Sequence, residues 1–102
     1  MQTKSIENLT IDYEVQEGTL CCTLTGRVDA NTSPILEEVL VKNSFEKAFI
    51  DASKMPYISS AGLRCLLLAA KKAKEGVTIT KTSATVKEIF EVTGFDTILN
   101  IE

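Results

Sequence analysis

A chain of 102 residues, 44% hydrophobic and 25% charged, holds enough material for one core and not for two. Its 14 acidic residues outnumber 11 basic ones, a net charge of −3 that argues against a nucleic-acid binder, which needs clustered cations to displace counterions from phosphates. There is no histidine, and Cys21, Cys22 and Cys65 form no C-x-x-C pair, so no metal site or cofactor is expected and the thiols read as reduced and mostly buried.

The longest apolar run is Cys65 to Ala70, far short of the roughly 20 residues a membrane span needs. Met1 to Glu7 lacks the pattern of a signal peptide, so a cytoplasmic protein is expected. Along the chain, Leu9, Ile11, Tyr13 and Val15 alternate with polar residues, the period of a half-buried strand. Gln16 to Thr19 reads as a tight turn, and Leu20, Cys22 and Leu24 alternate again, which predicts an antiparallel hairpin. Gly26 to Thr32 is a polar loop. Pro34 suits the first position of the helix after it, with Ser33 as cap and Ile35, Leu36, Val39 and Leu40 as the apolar stripe.

A third strand runs from Lys47 to Ala52; Ala48-Phe49-Ile50 lacks alternation and predicts a strand covered on both faces. Pro56 keeps the chain extended into Tyr57-Ile58-Ser59-Ser60-Ala61-Gly62-Leu63, where a loop becomes the longest helix. Leu63, Leu66, Leu67, Ala70 and Ala73 carry that helix to Glu75, with Gly76 as a left-handed cap. Lys71, Lys72 and Lys74 read as its solvated face. Val77 to Thr80 is a fourth strand, Ser83 opens a helix packed through Val86, Ile89 and Phe90 and ended by Gly94, and Thr97 to Ile101 is a last strand. The order β-β-α-β-α-β-α-β describes a single α/β domain over residues 1–102, with a mixed, mostly parallel sheet.

The serine pair at the helix start carries the functional question. A helix opens with backbone N–H groups that lack internal partners and favour a serine oxygen or a negative charge. Ser60 as a hydrolase nucleophile is disfavoured: no histidine can take its proton, Leu63 breaks the Ser-x-x-Lys alternative, and enzyme is the less favoured class. A phosphate cradle is not built either, since Gly62 is the loop's single glycine. A serine at a helix start is most often a plain N-cap, and the other role left open is phosphorylation. It adds about −1.5 to −2 charges at a place where the fold tolerates them and a docked partner does not.

Phe49-Ile50-Asp51-Ala52-Ser53 followed by Tyr57-Ile58-Ser59-Ser60-Ala61-Gly62-Leu63-Arg64 resembles the signature of bacterial anti-sigma factor antagonists, the STAS-domain family. Gly26 to Thr32 resembles the family's loop before its first helix, and Ala84 to Phe90 with Thr93-Gly94-Phe95 its last helix and terminal strand. The resemblance implies helices packed largely on one face of the sheet. It also implies a non-enzymatic regulator that binds a serine-kinase anti-sigma factor in a partner-switching pathway, with a PP2C-type phosphatase resetting the cycle. On it, Ser60 matches the phosphoacceptor, with Ser59 the alternative, and Asp29, Asn31, Thr32, Ser59, Ser60, Gly62, Leu63 and Arg64 fall on the partner-binding surface. Many kinase-regulated members carry aspartate before the acceptor; this chain has Ser59 there. A constitutive STAS interaction module without phosphate turnover, in a signalling or transporter-associated complex, is the alternative. Asp29, Asn31 and Thr32 also have a local reading as turn caps, Asp51 as the holder of the loop after its strand, and Arg64 as half of a surface ion pair.

Overall fold

The computed structural model describes residues 1–102 as six strands and three helices: β1 Gln2–Ile6, β2 Leu9–Gln16, β3 Thr19–Thr25, α1 Ser33–Lys42, β4 Lys47–Lys54, α2 Ser60–Lys72, β5 Val77–Thr80, α3 Ala84–Thr93 and β6 Asn100–Ile101. The strands lie in one sheet in chain order, antiparallel from β1 to β3 and parallel from β3 to β6. The parallel strands are always added on the same side, so right-handed crossovers place their helices on one face of the sheet.

Burial follows from that one-sided cover. Register aligns Leu20, Ala48 and Val77 in one row and Cys22, Ile50 and Ile79 in the next, and all six are buried in the core. Their neighbours Cys21, Phe49 and Thr78 form a row on the opposite face, where Cys21 is exposed and Phe49 is 37% exposed. The expectation that the third strand is covered on both faces is therefore corrected. Phe49 breaks the alternation of polarity without breaking the alternation of burial, and Lys47 covers its ring with Nζ 5.6 Å from the centroid.

β1 is an additional strand. Its polar segment Gln2–Ile6 pairs only with β2, as an edge, so it needs no apolar row of its own. Helix ends differ as well. Thr32, not Ser33, is the N-cap of α1 and makes no side-chain cap bond, while Ser33 begins the helix and is buried. α2 ends at Lys72 rather than Glu75, because Ala73 leaves the helix extended while keeping its methyl group in the core; Gly76 lies in the turn beyond. α3 is capped as its sequence implies, by Ser83 at one end and by Gly94, at φ +78°, at the other. The last segment is a turn of 3₁₀ helix over Phe95–Thr97, and only Asn100–Ile101 pairs as β6.

Lys72 is not a solvated lysine. Its Nζ donates to the carbonyls of Leu40 (2.8 Å), Val41 (3.0 Å) and Asn43, and lies 5.0 Å from the Phe45 ring centroid. The cation at the end of α2 satisfies the orphan carbonyls at the end of α1 and ties the two helices together. No helix is long and apolar enough to cross a membrane.

Candidate functional site

Two loops at one end of the sheet meet through two residues. Val28, after β3, and Ile58, after β4, form an isolated parallel bridge: Val28 N–H donates to the Tyr57 carbonyl (3.1 Å) and Ser59 N–H donates to the Val28 carbonyl (2.8 Å). Both side chains are buried, at 0% and 1% exposure, so the bridge is anchored in the core. Gly62 fits closely above it: a β-carbon there would stand 2.6 Å from both Ile58 Cγ1 and Val28 Cγ1. The first turn of α2 is thus held against the bridge by a residue that has no side chain to keep it away.

The bridge sets the order of side chains on either side. Before it come Arg27 and Tyr57, with the guanidinium carbon 4.5 Å from the ring centroid. After it come Asp29 and Ser59. The Asp29 carboxylate accepts from the Asn31 and Thr32 amides (2.9 and 3.1 Å) and lies 3.8 Å from Arg27 Nε. The Thr32 amide foremost, then the Asn31 amide, the Thr32 hydroxyl and the Arg27 charge hold this carboxyl below its ordinary value, against a partly opposing desolvation. Thr32 Oγ1 donates to the Arg27 carbonyl (2.8 Å) and accepts from the Asp29 amide (2.9 Å), which fixes the turn from inside.

Ser59 is the N-cap of α2, half-buried, its Oγ accepting from Gly62 N–H at 3.4 Å. Ser60 begins the helix and is exposed. Of the residues the resemblance assigns to a partner surface, Asn31, Ser60 and Arg64 are exposed and Asp29 and Ser59 half-buried. Thr32, Gly62 and Leu63 are buried, Thr32 to 1% and Leu63 to 6%, so they shape that surface from beneath and offer it almost no area. Arg64 forms no ion pair, contrary to its local reading. Asp51 does hold the loop after its strand: it accepts from the Ser53 amide (2.9 Å) and stands 3.6 Å from Lys81 Nζ.

The Arg27–Tyr57 stack and the Val28–Ile58 bridge escape a reading of periodicity, because each joins residues some thirty positions apart in segments with no repeat. Burial pushes the Cys65 thiol up to about 11 and the Cys22 thiol to about 12, away from reactivity; these two bear out the expectation of mostly buried thiols, and Cys21 is the exposed exception.

The STAS domain family matches residues 10–102, and the chain belongs to it. It is 32% identical to BtrV of Bordetella bronchiseptica, whose name assigns it provisionally to the anti-sigma factor antagonists; the match covers 83% of this chain and 78% of BtrV. The fold is similar to that of an anti-sigma factor antagonist from Mycobacterium paratuberculosis, with a TM-score of 0.76 at 24% identity over 91% of this chain and 84% of that one. It is also similar to the Bacillus cell fate determinant SpoIIAA, solved in a phosphorylated form, with a TM-score of 0.64 at 16% identity over 90% of each chain.

Proposed function

We propose that this protein is an anti-sigma factor antagonist of the partner-switching kind. Its unmodified form binds an anti-sigma factor that is also a serine kinase, and phosphorylation of Ser60 ends the complex. A PP2C-type phosphatase restores the binding form. Ser60 carries the reading: in a STAS domain, a serine side chain with no internal partner stands exposed at the first position of α2, while its neighbour Ser59 is occupied as the cap.

The chemistry is that of a charge switch. The docking face consists of Asp29 and Asn31 on one loop and of Ser59, Ser60 and Arg64 at the cap and first turns of α2, held together through the Val28–Ile58 bridge. A phosphoryl group at Ser60 places a near-dianion with three acceptor oxygens on that face. The fold tolerates it, because the start of a helix favours negative charge. A partner packed on the same face meets an unpaired charge and added bulk.

The test is to incubate the purified protein with its cognate kinase and ATP. A mass increase of one phosphate, mapped to Ser60, is expected, together with loss of the complex on size-exclusion chromatography. Stable binding with no modification of Ser60 or Ser59 would instead mark a constitutive interaction module.

A further inference from the structure

Two functional groups at the start of α2 are left without partners. Ser60 Oγ makes no hydrogen bond, and the Arg64 guanidinium makes neither a hydrogen bond nor an ion pair. Both are exposed, and they are four residues apart on one helix, where side chains at i and i+4 lie one above the other. The neighbouring charged groups are differently engaged. Arg27 is taken by Tyr57 and Asp29, and Asp29 by its own turn. Glu37 of α1 raises the Cys65 thiol and Arg64 lowers it, but Glu37 closes no salt bridge to Arg64.

We infer that Arg64 is a positioning residue for the switch itself: its guanidinium clamps the phosphoryl group of phospho-Ser60 within the same chain. The inference rests on the reading of Ser60 as the acceptor. Guanidinium and phosphate match as a two-pronged pair, and an acid N-terminal to a base at this spacing is the favourable orientation on a helix. The clamp draws the phosphate along the helix and occupies an arginine that is free on the docking face of the unmodified protein. One modification then changes two features of that face, by adding an anion and by engaging its unpaired cation. Ser59 cannot take the same role, since it is one residue out of register with Arg64 and follows the bridge on the same side as the Asp29 carboxylate.

The test needs no kinase. Phosphoserine is incorporated at position 60 during translation of the full chain, and its second ionisation, ordinarily near pH ~6, is followed by phosphorus NMR. Pairing with a cation favours the dianion, so Arg64→Gln should raise this pKa by about 0.15–0.4 unit, the size of an exposed helical ion pair. Arg64→Lys should restore part of the shift, and Arg27→Gln should leave it in place. Equal values in the wild type and Arg64→Gln overturn the clamp, as does a shift that follows Arg27 instead. Failure of the cognate kinase to modify Ser60 would count against the switch while leaving the measured clamp intact; a modified Ser60 with no Arg64 effect would do the reverse.

Discussion

α2 and α3 begin with the same device and use it differently. Ser59 accepts from the amide three residues on at 3.4 Å, and Ser83 does so at 3.2 Å. Neither helix has an acidic residue in its first turn. What separates them lies around the cap. At α3 the next residue is Ala84, and Ser83, Ala84 and Thr85 stand exposed with no second loop stapled to them. At α2 the cap's own amide belongs to the Val28–Ile58 bridge, a glycine seats the first turn on that bridge, and the next residue is a second, free serine. A capping serine is therefore a local feature of helix chemistry, and it is the free serine beside a braced loop pair that sets the start of α2 apart and that the proposed switch uses.

The sharpest way to break this contrast is to add charge at both starts. Ser60→Asp should reduce affinity for the partner about a thousandfold, roughly 4 kcal/mol, with an unchanged melting temperature. Ala84→Asp, the corresponding position of α3, should leave affinity within twofold. Calorimetric titration reads both, and equal effects at the two positions would mean that net charge, not the site, controls binding.

Next in size is the seating of the turn. Gly62→Ala forces a methyl group against Val28 and Ile58, and an overpacked contact of this kind costs about 1–3 kcal/mol in urea unfolding. The third residue after the cap of α3 is Val86, fully buried and accommodated, so bulk at this position is not unfavourable in itself. A neutral Gly62→Ala would show that the bridge yields and that α2 is not rigidly seated.

Where sequence suffices and where it does not follows the same division. Period alone locates β2, β3, β5 and α3 closely, because each pairs one apolar face with one polar face. β1 is illegible by that signal: its residues Gln2–Ile6 are polar or exposed, and its strand conformation comes from pairing with β2. α2 reads three residues too long because Ala73 stays in the core after the backbone has left the helix. The serine pair is legible from the loop-to-helix change, with Pro56 holding the chain extended before it. The nearness of Asp29 to it is not, because two apolar residues thirty positions apart, Val28 and Ile58, carry the connection. Gly62 is the faint signal for it, a glycine inside a helix that needs a reason to be small.

A smaller effect tests whether the two caps are equivalent as caps. Ser59→Ala and Ser83→Ala should each cost about 0.5–2 kcal/mol, the range for a lost N-cap oxygen. The longer bond at Ser59 puts its loss at or below that at Ser83. Alanine keeps the amide that bonds Val28, so the bridge survives the substitution. If Ser59→Ala proved much the more damaging in chemical denaturation, its hydroxyl would be bracing the loop pair as well as capping the helix.

The smallest expected effect concerns acid, and it separates the two starts because only α2 has a turn-capping aspartate beside it. Asp29 has a folded-state pKa lowered chiefly by the Thr32 amide, so the folded protein binds its proton less readily than the unfolded chain does. The stabilisation is then fully present above the unfolded carboxylate value near ~3.9 and is lost as pH falls through the lower folded value. Asp29→Asn should flatten the melting temperature's fall below pH ~4, and it does so by lowering stability at neutral pH, where the wild-type carboxylate is ionised and its contribution is fully present. Asp51, whose pKa is lowered chiefly by the Ser53 amide, contributes with the same sign, so a residual slope should persist in the single variant and diminish further in Asp29→Asn/Asp51→Asn. A slope unaltered by Asp29→Asn would mean that the turn at residues 29–32 persists in the unfolded chain, and that the bridge, not the turn, does the positioning beside Ser59.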